Sequence, residues 1–98
     1  MSAENRDPIA PQTALRLAPG ARLQTDRLTG EPLLLYPEGV LKLNPTGATI
    51  VELCDGVRTV AEIVAALSAR FAAPPETLAA DTTAYLQRLR DRGLLETV

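Results

Sequence analysis

The sequence predicts an α+β fold: a short three-stranded antiparallel sheet followed by a three-helix bundle, winged-helix-like in outline. Three observations carry this expectation. Short apolar runs separated by Gly- and Pro-containing turns occupy the first half of the chain, whereas apolar residues recur at helical spacing through the second. The change of period falls inside one stretch, Leu33 to Gly56, where a hairpin signal passes directly into a helix start. Strands grouped before helices place a small sheet beside a helical layer.

Residues 1–17 mix Ser, Asn, Gln, Pro8 and Pro11 with sparse apolar side chains and no sustained period, so they are expected to form a flexible tail, and deletion of Met1 to Ala14 is expected to leave the folded domain nearly unchanged. The folded domain is then 18–98, opened by Pro19-Gly20. Ala21 to Leu28 alternates imperfectly, with Leu23 and Thr25 on one face, as a half-exposed first strand does. Thr29-Gly30-Glu31-Pro32 turns it back onto Leu33–Tyr36. Pro37-Glu38-Gly39 is a second turn, with proline fixing φ and glycine free to take positive φ, and it leads into Val40–Leu43. Unbroken leucines suit a middle strand paired on both edges; Lys42 suits an outer one.

Asn44-Pro45 provides an N-cap acceptor and a proline at the first helical position. The helix that starts there presents Ile50, Val51, Leu53 and Cys54 as its apolar side and is expected to stop at Asp55-Gly56. Gly47, inside this helix, reads either as a close approach of another backbone or as simple tolerance near the first turn. Thr59-Val60-Ala61-Glu62 has capping-box spacing, and Val60, Ile63, Val64, Leu67 and Phe71 follow as an amphipathic stripe ending before Pro74-Pro75. Glu76 to Arg92 forms the third helix, with Leu78, Thr82, Tyr85, Leu86 and Leu89 on one side. Gly93 ends it and Leu94 supplies the apolar contact of the cap.

With 98 residues the chain is one domain. Apolar residues make up 46% of it and aromatic residues 3%, so the core must be built from Leu, Ile, Val and Ala. Ten basic against twelve acidic side chains give a net charge of −2, which disfavours a partner held through phosphates. There is no histidine and one cysteine, so neither a disulfide within the chain nor a metal site is expected, and no cofactor. Cys54 reads as a small buried core residue, with a reactive thiol as the alternative. The N-terminus has no apolar signal region and no run approaches 18 apolar residues, so a cytoplasmic protein away from the membrane is expected.

Catalysis finds no support in the residues. Glu38, Glu52, Asp55 and Glu62 each have a structural explanation, in a turn, on an exposed helix face, at a helix end and in the capping box, and no nucleophile–base pair exists without histidine. DNA binding through the second and third helices is the competing reading, but the groove-facing start of the third helix carries Glu76 and Asp81. Its arginines, Arg88, Arg90 and Arg92, lie at the far end, where the helix dipole favours them anyway.

A module for a peptide or protein partner remains. An edge strand has unpaired N–H and C=O groups to which an extended peptide can add as a further strand. Val40, Leu41, Lys42 and Leu43 are the candidate edge, and if the third helix crosses nearby, Tyr85 and Leu89 form the apolar wall of a groove. Ordinary core packing is the other reading of those two. Lys42 either pairs with an acidic ligand residue or guards a bare edge against aggregation. A free edge, or exchange of the N-terminal segment, also leaves a homodimer open.

The motifs add a resemblance. Leu35-Tyr36-Pro37-Glu38-Gly39, Leu43-Asn44-Pro45-Thr46, and Ile50-Val51-Glu52-Leu53-Cys54-Asp55-Gly56 followed by Arg58-Thr59-Val60 make this chain similar to the pyrroloquinoline quinone biosynthesis D family of PqqD-like peptide recognition domains. The resemblance runs from about Leu17 to the C-terminus. It implies a non-catalytic, cofactor-free adaptor that holds the leader of a ribosomal precursor peptide and delivers it to a radical S-adenosylmethionine (radical SAM) enzyme, which links a glutamate to a tyrosine. It further implies that the leader adds to Val40–Leu43 and lies against Glu76–Arg92. Tyr36, Pro37, Glu38, Gly39, Asn44, Pro45, Asp55 and Gly56 then act as architecture. The same domain type serves other ribosomal peptide pathways.

Overall fold

A computed structural model describes residues 8–98. In chain order the elements are β1 (Ala14–Leu17), β2 (Arg22–Thr25), β3 (Pro32–Tyr36), β4 (Gly39–Lys42), α1 (Pro45–Glu52), β5 (Asp55–Thr59), α2 (Val60–Ser68), α3 (Pro75–Asp91) and β6 (Leu95–Thr97). The fold is α+β, with three helices and two antiparallel sheets, β2-β3-β4 and β5-β1-β6, among the described residues. The first is the expected meander with Leu33–Tyr36 in its centre. The second is an addition to the expected layout of three strands before three helices.

Register explains the meander. Leu23, Leu34 and Leu41 stand opposite one another across the three strands, and Leu34, in the middle, is fully buried. A row of leucines on one face helps to fix register, since a one-residue slip of β2 or β4 would turn Leu23 or Leu41 to the other face of the sheet. At the first turn Asp26 accepts the Leu28 N–H (2.8 Å), Thr29 Oγ1 accepts that of Glu31, and Gly30 has φ +76°. The second turn needs only Pro37 and Glu38, because Tyr36 pairs with Gly39; the glycine is the first residue of β4 and does not take a positive φ.

The second sheet corrects the expected tail. Residues 14–17, assigned to it, form the central strand of β5-β1-β6, and Leu15 is fully buried. The fold reaches further back still: Ile9 is buried, and the carbonyls of Pro11 and Thr13 accept the N–H groups of Ala61 and Val60. The rest of the expected tail, residues 1–7, lies outside the described residues. β1 has little local signature because its partners are distant: Arg16 stands opposite Glu96, with an ion pair of 2.7 Å between them, and opposite Asp55.

Helix α1 starts as expected, with the Asn44 side chain accepting the Gly47 N–H (2.6 Å) and proline at the first position. It ends at Glu52, before Asp55-Gly56, which instead opens β5, with Gly56 at φ +82°. The capping box of α2 has both its bonds, 3.2 Å from the Glu62 N–H to Thr59 Oγ1 and 2.8 Å from the Thr59 N–H to Glu62 Oε1. Val60, Ile63 and Leu67 are its buried stripe; Phe71 lies beyond the helix end, half-buried. Leu78, Thr82, Leu86 and Leu89 turn α3 inward, and the buried Leu94 follows Gly93, at φ +79°, with its N–H on the Leu89 carbonyl.

Candidate functional site

Among the described residues strand β4 is an edge of its sheet, hydrogen-bonded only to β3. Its parity follows from one bond: the Leu43 N–H donates to the Pro32 carbonyl (3.0 Å), which makes Pro32 and Leu43 a hydrogen-bonded pair. Antiparallel pairs alternate, so Leu34 with Leu41 and Tyr36 with Gly39 are bonded pairs as well, whereas Leu35 with Val40 and Leu33 with Lys42 are not. The N–H and C=O groups of Val40 and Lys42 therefore point away from β3. Side chains alternate on the other axis, leaving Val40 57% exposed and Lys42 exposed, with Leu41 half-buried and Leu43 buried.

Beside this edge, α3 crosses to leave a groove of about 210 Å³. Five of the six residues singled out from the sequence line it, namely Leu41, Lys42, Leu43, Tyr85 and Leu89; the side chain of Val40 stays outside. Leu89, only 3% exposed, is part of the core and closes the groove floor; Tyr85 is half-buried and forms a wall. Asn44, Arg88 and Arg92 complete the lining. In the sequence alone the helix dipole is reason enough for both arginines. The signal that finds them is spacing: Tyr85, Arg88, Leu89 and Arg92 at i, i+3, i+4 and i+7 share one helical face.

The Arg88 guanidinium lies over the Tyr85 ring, 5.7 Å from its centroid. Burial raises the pKa of the Tyr85 phenol above its ordinary value, against the opposing pull of Arg88. On its other side the tyrosine fills the space beside Gly47, where an added Cβ would come 2.5 Å from the phenolic oxygen. This glycine answers to a side chain, and the approach of another backbone that the sequence suggested is not what it accommodates.

The carboxylates considered for catalysis are dispersed. Glu62 is engaged in the capping box, and Asp55 accepts the N–H groups of Arg58 and Val57 and pairs with the Arg58 guanidinium (2.7 Å), which together lower its pKa. Cys54 is buried, donates to the Ile50 carbonyl (3.3 Å), and has its thiol pKa pushed up to about 12, chiefly by desolvation and then by the Asp55 charge. Among the described residues no group of three His, Cys, Asp or Glu side chains is placed to hold a metal ion, and no helix is long and apolar enough to cross a membrane.

Fold and groove together define a small α+β recognition domain, a scaffold that offers a strand edge and a lined groove where an enzyme would offer a reacting group. The chain belongs to the PqqD family: the family model described as "Coenzyme PQQ synthesis protein D (PqqD)" matches residues 31–95. It is similar to the "PqqA binding protein" of Rhizobium meliloti (strain 1021), 34% identical over 92% of each chain. The protein of the same name from Gluconobacter oxydans (strain 621H) is 36% identical, over 91% of this chain and 93% of that one. In three dimensions it matches the solution structure of the PqqD truncation of Methylobacterium extorquens PqqCD, described as a functional, stand-alone recognition element for ribosomally synthesized, post-translationally modified peptides. The TM-score is 0.79 and the identity 29%, covering 95% of this chain and 98% of that one.

Proposed function

We propose that this chain is a non-catalytic adaptor that binds the PqqA precursor peptide as an added strand on β4 and presents it to the radical SAM enzyme of pyrroloquinoline quinone biosynthesis. One observation carries the reading: the main-chain groups of Val40 and Lys42 face outward directly beside a groove with leucine side chains in its floor. Main-chain bonds from such an edge give affinity without regard to sequence, and the groove adds selectivity. The relatives named PqqA binding protein and the recognition-element fold support the same partner.

The test is titration of the labelled domain with PqqA, alone and with the radical enzyme present, followed by backbone amide shifts. The Val40 and Lys42 amides and the α3 face from Tyr85 to Arg92 are expected to move with peptide alone, and the enzyme is expected to add shifts elsewhere without releasing the peptide. Peptide binding that leaves both β4 amides unmoved would place the partner on another surface.

A further inference from the structure

We infer that the groove selects its peptide by charge: an acidic side chain seated between Arg88 and Arg92, with an apolar side chain two residues away resting on Leu41 and Tyr85. This deepens the reading above and rests on it. Arg88 and Arg92 line one groove in a chain whose net charge is −2, while Lys42, on the opposite face of β4 from Leu41, lends its charge to the side of Asp26. Among the described residues the ion pairs are Arg16 with Glu96 and Arg58 with Asp55, so neither Arg88 nor Arg92 has a carboxylate within pairing distance. The neighbouring hollow on the far side of Tyr85 does contain an acid, Asp81, which stays unpaired with Arg88.

The helix dipole accounts for basic residues in the last turn of α3 but not for their direction. Arg90, between the other two in sequence, is buried on a different face, while Arg88 and Arg92 are exposed and share the face of Tyr85 and Leu89. Arg88 is also held in place by the ring beneath it, so less of its side-chain freedom remains to be lost on binding. The spacing of the ligand follows from strand geometry. A peptide added to β4 turns every second side chain toward α3, so the apolar and acidic residues that meet the groove stand at i and i+2. A nucleic acid would meet the same charges, but a leucine floor and a free strand edge match nothing on a phosphate backbone.

The probes are PqqA and a version of it with every Asp and Glu replaced by Asn or Gln, titrated against the wild-type domain and the Arg88→Glu/Arg92→Glu variant. The wild type is expected to prefer the native peptide by about tenfold at low salt, equivalent to about 1.4 kcal/mol, with the preference shrinking at high salt. The variant should lose it, and should gain affinity for a peptide whose acids are replaced by Lys. Arg92→Glu alone, which leaves the Tyr85 stack in place, serves if the double variant does not fold. Equal affinity for native and neutralised peptide, with Val40 and Lys42 amides still shifting, overturns the charge selection and leaves strand addition standing. No shift with either peptide removes the parent reading and the inference with it. Tighter binding of a DNA duplex than of PqqA, lost in the same variants, assigns the cations to phosphate and overturns the inference.

Discussion

The phenolic oxygen of Tyr85 lies 2.5 Å from where a Cβ on Gly47 would stand, and Cζ lies 2.9 Å away, so α1 and α3 approach as closely as they do because position 47 has no side chain. Gly47→Ala gains alanine's better helix propensity, up to about 1 kcal/mol. Against this, it overfills the contact, which typically costs about 1–3 kcal/mol. A net loss of stability is expected, together with weaker PqqA binding as Tyr85 is pushed toward the β4 groove. In a Tyr85→Ala background the same change should become neutral or stabilising. Urea unfolding of the four proteins in this cycle checks it, and strictly additive effects would show that the two residues do not interact.

Strand parity separates folding from binding. Leu41→Pro deletes an N–H directed into the sheet and should destabilise the domain. Val40→Pro deletes one directed outward, so it should leave most of the stability in place and weaken PqqA binding by on the order of 1 kcal/mol or more. Val40→Ala controls for the side chain. A folded Val40→Pro variant that binds with unchanged affinity would falsify strand addition on β4.

Cys54 gives a pH dependence with a definite sign. Its thiol pKa is raised from 9.0 to about 12 by burial and by Asp55, so the folded state keeps its proton where the unfolded chain loses it. The contribution is fully present below pH 9.0 and fades as pH rises toward about 12, by up to about 1.4 kcal/mol per pH unit between them. The stability difference between wild type and Cys54→Ala should therefore shift in favour of the variant from pH 8 to pH 10, on the order of 1 kcal/mol. Denaturant titration at the two pH values measures it; a constant difference would show a thiolate tolerated in the core. Thiol reagents at pH 8 should label Cys54 only as fast as the protein opens.

β1 is expected to be indispensable. Leu15→Ala empties a fully buried position in the central strand of the second sheet, with a loss of about 2–5 kcal/mol. Removing residues 1–17 should abolish cooperative unfolding altogether. A truncated protein with a wild-type transition by circular dichroism would return these residues to the status of a tail.

The meander, three helices and most of the groove lining were legible because their signals are local: a turn between leucine runs, an N-cap before a proline, a capping box, a helical stripe. The second sheet was not. β5, Asp-Gly-Val-Arg-Thr, has one apolar side chain, and Val57 is 81% exposed, so no alternation marks it. Asp55-Gly56 looks like a helix stop because a glycine with positive φ serves equally well to start a strand after a turn. β1 and β6 have four and three residues, too short for a period to declare itself, and their register depends on contacts no local window spans. Arg88 and Arg92 were visible as charges, but their direction depended on which face of α3 met β4.

The Arg16–Glu96 pair joins positions 80 apart, whereas β2, β3 and β4 are joined by neighbouring turns. Loop closure grows dearer with length, by about 0.6 kcal/mol for each doubling, and non-local pairing slows folding. On the ribosome, β2, β3 and β4 are therefore made before α3 can wall the edge at Val40 and Lys42 or β6 can close the second sheet. For that interval the edge lacks its α3 wall, and a charge at Lys42 is suited to discouraging it from pairing with neighbouring chains on the same message.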